Sequence, residues 1–303
     1  MGGVPAYTSR HRCETYLSLL RNVCRRQEAI MRRSALLVAA TMFLAIHVCA
    51  STQRPLIVTQ QDHSFVDSDD CSSFYTQNTT SLPSSASAQE QRRISLIGVD
   101  LLHIRTRNSG GVSVRGWDHQ FAHLTICKYV AALNDPQAAK ALQTVAVAVS
   151  PGQIVASGPE LSATQTWWVH MILRVPRSAN VDVYTANGGI AVRNMTGRVT
   201  AHATNGGISL ASCTGDNRVE TENGGISLEK VSGRTDATTQ HGPISLKLRD
   251  IAMPALEAQT EDEIVCKLKA CTDAWTTNHK RLRIGSASPQ IRLITNSAPI
   301  LIE

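Results

Sequence analysis

The stretch Thr185-Ala-Asn-Gly-Gly-Ile-Ala-Val192 returns as Ala203-Thr-Asn-Gly-Gly-Ile-Ser-Leu210, as Thr221-Glu-Asn-Gly-Gly-Ile-Ser-Leu228 and, altered, as Thr239-Gln-His-Gly-Pro-Ile-Ser-Leu246. Each copy follows the last by 18 residues, and a fixed period of self-similarity marks a repeat architecture. Other slots keep step: Gly197, Gly215 and Gly233 share one, Met195, Cys213 and Val231 a second, Ala201, Val219 and Ala237 a third. After a two-residue insertion the beat resumes more weakly at Ile264, Leu282 and Ile300, with Thr277 and Thr295 five residues ahead, so seven turns are expected. In these last turns Glu261-Asp-Glu263, His279-Lys-Arg281 and Ser297-Ala-Pro299 replace Asn-Gly-Gly.

Apolar residues on alternate positions build one buried strand face. Glycines at two fixed corners supply positive backbone angles, and asparagine tolerates them. An 18-residue coil has a contour of about 60 Å at ~3.3 Å per residue, and seven coils spaced by ~4.8 Å stack to roughly 30 Å. The expected fold is all-β: a right-handed parallel β-solenoid with 18-residue coils over residues 177–303, clear over 187–246 and degenerate over 259–303. An antiparallel meander is the competing fold, because Asn-Gly between alternating apolar residues is also a hairpin signal. Slot-by-slot matching favours stacked coils, which require it.

Upstream, residues 92–176 read as a small mixed β/α segment capping the first coil. Alternation begins at Ile94 and continues through Leu102, Ile104, Val112 and Val114. Asp135-Pro136 offers an N-cap and a first-turn proline for a short helix over 137–143. Strands follow over 144–149, 153–156 and 166–175. Residues 51–91, rich in Ser, Gln, Asp and Thr without a sustained period, read as a disordered polar linker.

The chain carries a formal charge of +6, but unevenly. Seven of its 30 basic and two of its 24 acidic side chains fall in residues 1–33, leaving 23 and 22 in the remainder. A nucleic-acid binder needs a basic surplus on the folded domain, so no nucleic-acid partner is expected. Arg32-Arg33, the apolar run Ala35 to Ala50 and a small-residue exit at Val48-Cys-Ala50 fit a signal peptide cleaved after Ala50, with Met31 as the true start. The alternative is a retained anchor, a membrane tether through residues 35–50, with the C-terminal bulk outside. Lipidation at Cys49 fits less well after Ile46-His-Val48. Beyond the leader, Cys71, Cys127, Cys213, Cys266 and Cys271 form an odd set without a CxxC pair, which leaves room for one opportunistic bridge.

The run Leu173 to Ile190, the following Asn-Gly-Gly-Ile turns and Asn108-Ser-Gly-Gly-Val-Ser-Val-Arg-Gly-Trp-Asp118 resemble the bacterial putative-adhesin family of β-strand-repeat proteins of unknown function. The likeness covers about residues 92–303. It implies an exported, non-catalytic solenoid and brings no catalytic residue, metal or cofactor.

An enzyme on the same scaffold, a carbohydrate-active one, needs carboxylates clustered on one face. Asp182, Asp216 and Asp236 do not all fall in one slot, although Glu220 and Glu222 stand close. The acidic residue that follows Gly-Gly in calcium-binding repeats is missing. His119 and His123 would share a face on a helix, but on a strand they lie about 13 Å apart and cannot hold one ion. Cys213 and Cys266 occupy inward slots and read as buried free thiols. In Trp167-Trp168 one ring must face the core and the other the surface; the pair reads as a cap over the first coil or as a glycan-stacking contact. The function expected is that of an exported cell-envelope binding or scaffolding module for a glycan or similar surface. The alternatives are a carbohydrate-active enzyme and an envelope sensor domain. Because Ser297 to Glu303 ends the chain in mid-coil, end-to-end self-association is expected at that open end.

Overall fold

A computed structural model describes residues 71–77, 80–248, 254–271, 279–285, 288 and 290–303. The leader, the start at Met31, the first part of the polar linker and Thr277 lie outside the described residues. Among the described residues no helix is long and apolar enough to cross a membrane.

The N-terminal part runs α1 (Ser72–Gln77), β1 (Ser84–Ser95), β2 (Leu102–Ser109), β3 (Val112–Trp117), β4 (Phe121–Ala132), α2 (Asp135–Thr144), β5 (Ala146–Ser150), β6 (Gln153–Ser157) and β7 (Gln165–Pro176). Each repeat then supplies a seven-residue and a four-residue strand: β8 (Val181–Asn187) and β9 (Ile190–Arg193), β10 (Val199–Asn205) and β11 (Ile208–Ala211), β12 (Asn217–Asn223) and β13 (Ile226–Glu229), β14 (Thr235–His241) and β15 (Ile244–Lys247). Last come β16 (Leu256–Gln259), β17 (Ile264–Cys266), a 3-10 turn (Lys269–Cys271), β18 (Arg281–Ile284), β19 (Ile291–Thr295) and β20 (Ile300–Ile302).

These strands form two large mixed sheets and no closed barrel. The first has the order β1-β4-β7-β3-β9-β11-β13-β15-β20-β17 and the second β18-β16-β19-β14-β12-β10-β8-β2-β6-β5. Through the repeats, pairing is parallel with an offset of 18: Ile190 faces Ile208, Ile208 faces Ile226 and Ile226 faces Ile244. The short strands present Ile190, Ile208, Ile226 and Ile244 to a core shared with Val183, Ala201, Val219 and Ala237 of the long strands.

The ends depart from an all-parallel stack. β1, β4 and β7 pair antiparallel in the first sheet, and β5–β6 and β16–β18 do so in the second. For β5 and β6 the cause is the two-residue turn at Pro151-Gly152, which can join only antiparallel neighbours. The C-terminal order also differs from the sequence reading. Ile300 pairs with Ile244, Ile264 pairs with Ile300, and Leu282 sits on the antiparallel edge strand β18. The final segment therefore slots between the fourth repeat and residues 256–266, so Glu303 does not end the chain at an open coil.

A ladder of buried threonines fits that order. Thr221 Oγ1 donates to the Gly206 carbonyl (2.9 Å), Thr239 Oγ1 to Gly224 (2.9 Å) and Thr295 Oγ1 to Gly242 (3.0 Å), each to the corner of the preceding coil. Ala203 lacks the hydroxyl, and the Gly188 carbonyl instead accepts from Thr185 at 2.7 Å. At the exposed corner, Asn205 donates to Asn187 Oδ1 (2.9 Å) and Asn223 to Asn205 Oδ1 (3.0 Å), an amide ladder 18 residues apart.

Of the second-corner glycines Gly233 has a positive φ (83°), but at the first corner the glycines serve another purpose. A Cβ on Gly206 would stand 2.3 Å from the Gly188 carbonyl oxygen, and one on Gly224 would meet Gly206 in the same way, so close coil stacking excludes a side chain. In the first three repeats the non-glycine residues with positive φ are Asn194 (φ 57°), Ser212 (φ 53°) and Lys230 (φ 51°), one per repeat at the second corner.

Part of the stretch read as linker is ordered. Cys71 forms a disulfide with Cys127, fastening α1 over the outer face of the first sheet, where Phe74 and Tyr75 pack beside Ile172. The polar strand β1 pairs with β4 along its whole length, and its Glu90 is held by Lys128 and Arg92. The α2 cap is Asn134 rather than Asp135: its side chain accepts from Gln137 N–H at 3.0 Å, with Pro136 in the first turn. A second disulfide joins Cys266 to Cys271, so Cys266 is not a free thiol; Cys213 is free and buried.

Candidate functional site

Outward side chains of the second sheet stand in cross-strand rows. One of these rows alternates in sign from β12 to β18: Arg218 faces Asp236, Asp236 faces Arg292, Arg292 faces Glu257 and Glu257 faces Arg283. Opposite charges directly across a strand pair are favourable.

Toward β2 the pattern changes into a shallow depression of about 410 Å³. Its floor is a fixed ionic group. Arg105 on β2 donates from Nη1 to the Asp182 backbone carbonyl at 2.7 Å and from Nη2 to the Asp182 carboxylate, while His103 Nδ1 lies 2.9 Å from Asp182 Oδ2. Burial pushes the Asp182 carboxyl up, but the hydrogen bonds from Arg105 and His103 outweigh it and hold the group below its ordinary value. Asp182 is therefore a charged, occupied acceptor at neutral pH, poorly placed to take a proton from a substrate. One wall is the Tyr184 ring, stacked on His202 with centroids 5.5 Å apart and planes inclined by 19°. The Tyr184 hydroxyl lies 3.3 Å from Thr204 Oγ1. Gln153 and Val155 of β6 line the other side. The depression thus joins flat ring surfaces to a guanidinium whose position is fixed by its own sheet.

None of these residues stands out in the sequence. Tyr184 and His202 occupy one outward slot, but β2 lies outside the 18-residue beat, so the approach of His103 and Arg105 to Asp182 emerges only from the parallel register of β2 with β8.

The residues singled out from sequence are scattered. Trp167 is 1% exposed, and its indole N–H donates to the Pro159 carbonyl at 2.8 Å. Trp168 is half-buried on the opposite side of the strand, 5.6 Å from the Tyr129 ring. Burial pushes the Cys213 thiol up to about 11. His119 lies in the turn before β4 and His123 within it, with the Trp117 ring 4.5 Å from the first and 6.4 Å from the second. Among the described residues no group of three or more His, Cys, Asp or Glu side chains converges on a metal position. Glu220 lies 4.0 Å from both His202 and Arg218.

No protein-family model matches the chain, and no curated protein matches it. Solved structures do. A putative cell adhesion protein from Clostridium sporogenes is 10% identical, with a TM-score of 0.41, over 72% of this chain and 99% of its own. A putative adhesin from Bacteroides fragilis is 11% identical, with a TM-score of 0.29, over 73% of this chain and 98% of its own. Another, from Parabacteroides merdae, is 8% identical, with a TM-score of 0.27, over 70% of this chain and 95% of its own. The chain resembles these structures, while its function must be argued from its own residues.

Proposed function

We propose that the protein is an exported, non-catalytic binding or scaffolding module of the cell envelope, adhesin-like and built on a right-handed parallel β-solenoid. The 18-residue parallel register supports the solenoid, and connections that return to a parallel neighbour in one sheet are right-handed in nearly all proteins. Two disulfides within one domain favour an oxidising compartment, in keeping with the leader. The observation that carries the binding role is the depression on the second sheet. The Tyr184–His202 rings offer a face to the apolar side of a sugar, and the Arg105–Asp182–His103 group offers fixed polar partners to its hydroxyls. Trp168 beside Tyr129 is a second stacking surface on the first sheet, positioned by the buried Trp167.

The test is co-sedimentation of the secreted protein with cell-wall and exopolysaccharide fractions, comparing wild type with Tyr184→Ala and Arg105→Gln. Loss of an aromatic wall should weaken binding by roughly fivefold or more, the scale of ~1 kcal/mol. Equal retention of wild type and both variants would remove the depression as the contact.

A further inference from the structure

The depression on the second sheet holds a cation that its own ion pairs leave over. Outward positions of β2 carry His103, Arg105 and Arg107, alternating with the buried Leu102, Ile104 and Thr106. The first two are committed to Asp182 and fix the floor. Arg107 lines the same depression and is exposed, and among the described residues it has neither a hydrogen bond nor an ion pair.

The backbone explains why this third outward residue stands apart. Thr106 pairs with Thr185 and Ser109 with Asn187, so Arg107 and Asn108 together face the single Ala186 of β8. Such a bulge takes a residue out of the regular ladder and re-aims its side chain, and bulges recur beside binding sites for that reason. The neighbouring Arg105 has no such freedom, because its guanidinium is tied to both the backbone carbonyl and the carboxylate of Asp182.

Among the described residues no acid pairs with Arg107. Asp182 is shared between Arg105 and His103. Glu220, across the Tyr184–His202 rings, stands 4.0 Å from Arg218 and from His202. Along the row of Arg107 itself the first acid is Glu222 on β12, three inter-strand steps of ~4.8 Å away, about 14 Å. The depression therefore sets two arginines against one aspartate, beside a pair of stacked rings. A neutral sugar would leave the surplus guanidinium unused.

We infer that the depression takes an acidic sugar, one whose carboxylate is read by Arg107 while its ring lies against Tyr184 and His202. The inference rests on the glycan reading of this depression and names the class of sugar. A guanidinium offers two parallel N–H donors to the two oxygens of a carboxylate, a match that fixes orientation as well as charge. One surplus cation balances one carboxylate. A phosphate monoester carries about 1.5 to 2 negative charges near neutral pH, more than that single cation balances beside the ionised Asp182.

The full-length chain is titrated over immobilised polygalacturonate and over its fully methyl-esterified form, the same sugar without the charge, with inorganic polyphosphate as the phosphate probe. Arg107→Gln should lower affinity for polygalacturonate by roughly fivefold, the scale of one exposed ion pair, and change affinity for the ester by no more than about twofold. Arg107→Lys keeps the charge but not the fork and should restore only part of the loss. Tyr184→Ala should weaken binding to both polymers, since both present the ring. Arg292→Gln removes an equal charge elsewhere on the sheet and should act by no more than about twofold; matching thermal melts confirm that the exposed substitutions leave the fold in place. The inference is overturned by no retention on polygalacturonate, by retention there that ignores Arg107→Gln or falls equally with Arg292→Gln, or by retention on polyphosphate that depends on Arg107 to the same degree. If polygalacturonate fails while the ester or cell-wall fractions still bind through Tyr184, only the acidic-sugar inference falls. If no polymer depends on Tyr184, the glycan reading of the depression falls with it.

Discussion

Thr221→Val tests how the coils are locked together. Thr221 is 1% exposed, and its hydroxyl donates to the Gly206 carbonyl at 2.9 Å. Valine keeps the shape and removes the donor. The orphaned, partly buried carbonyl costs about 1–3 kcal/mol. The new methyl gives back up to about 0.8 kcal/mol of apolar burial, so from the middle of that range the net loss is about 1–2 kcal/mol. In a domain of this size that corresponds to a fall in Tm of roughly 2–8 °C. The control is Thr238→Val on the neighbouring strand, outward-facing, where a change within about 0.5 kcal/mol is expected. Urea unfolding of the oxidised chain, followed by circular dichroism, measures both. Equal stability of the two variants would refute the claim that Thr221, Thr239 and Thr295 clamp their coils to the neighbouring one.

Further outcomes follow from other parts of the structure. Gly206→Ala drives a methyl into the Gly188 carbonyl and should cost more than about 2 kcal/mol, whereas Ser212→Gly relieves a left-handed residue and should stabilise by up to about 1 kcal/mol; thermal melts read both signs. The Cys71–Cys127 disulfide closes a 56-residue separation and should contribute about 4 kcal/mol by chain entropy, against about 2 for Cys266–Cys271, so pairwise Cys→Ser variants should differ in urea midpoint in that order. Burial under α1 drives the His170 pKa down to about 4. The unfolded chain therefore takes up the proton first, and stability falls as pH drops from about 6.5 to about 4, by up to about 3 kcal/mol. His170→Gln should flatten that part of the stability–pH curve, and a curve that kept its slope would place the acid sensitivity elsewhere.

The 18-residue beat made the strands and inward slots of residues 181–247 legible, because each coil must repeat the packing of its neighbour. The corner glycines were visible, but their cause was not: a sequence shows glycine without showing the carbonyl that stands where its Cβ would be. The C-terminal order escaped because the last segments lack Asn-Gly-Gly, so alternation fits several neighbours. Thr295 matches the Gly242 carbonyl only in the folded stack. β1 read as linker because its inward positions carry small and charged residues, Ala86, Ala88, Glu90 and Arg92. Its order depends on Lys128 and the backbone of β4, distant in sequence. The depression was hidden for a like reason, since it is made by the register of β2, which lies outside the beat, with the repeat strand β8.

The most direct test of a binding module that leaves its ligand unaltered is prolonged incubation of the purified protein with envelope polysaccharide fractions, following bound protein and polymer chain length together. Saturable binding, with chain length and reducing ends unchanged, is the predicted result. Progressive shortening of the polymer, or accumulation of new reducing ends in proportion to protein and time, would contradict it.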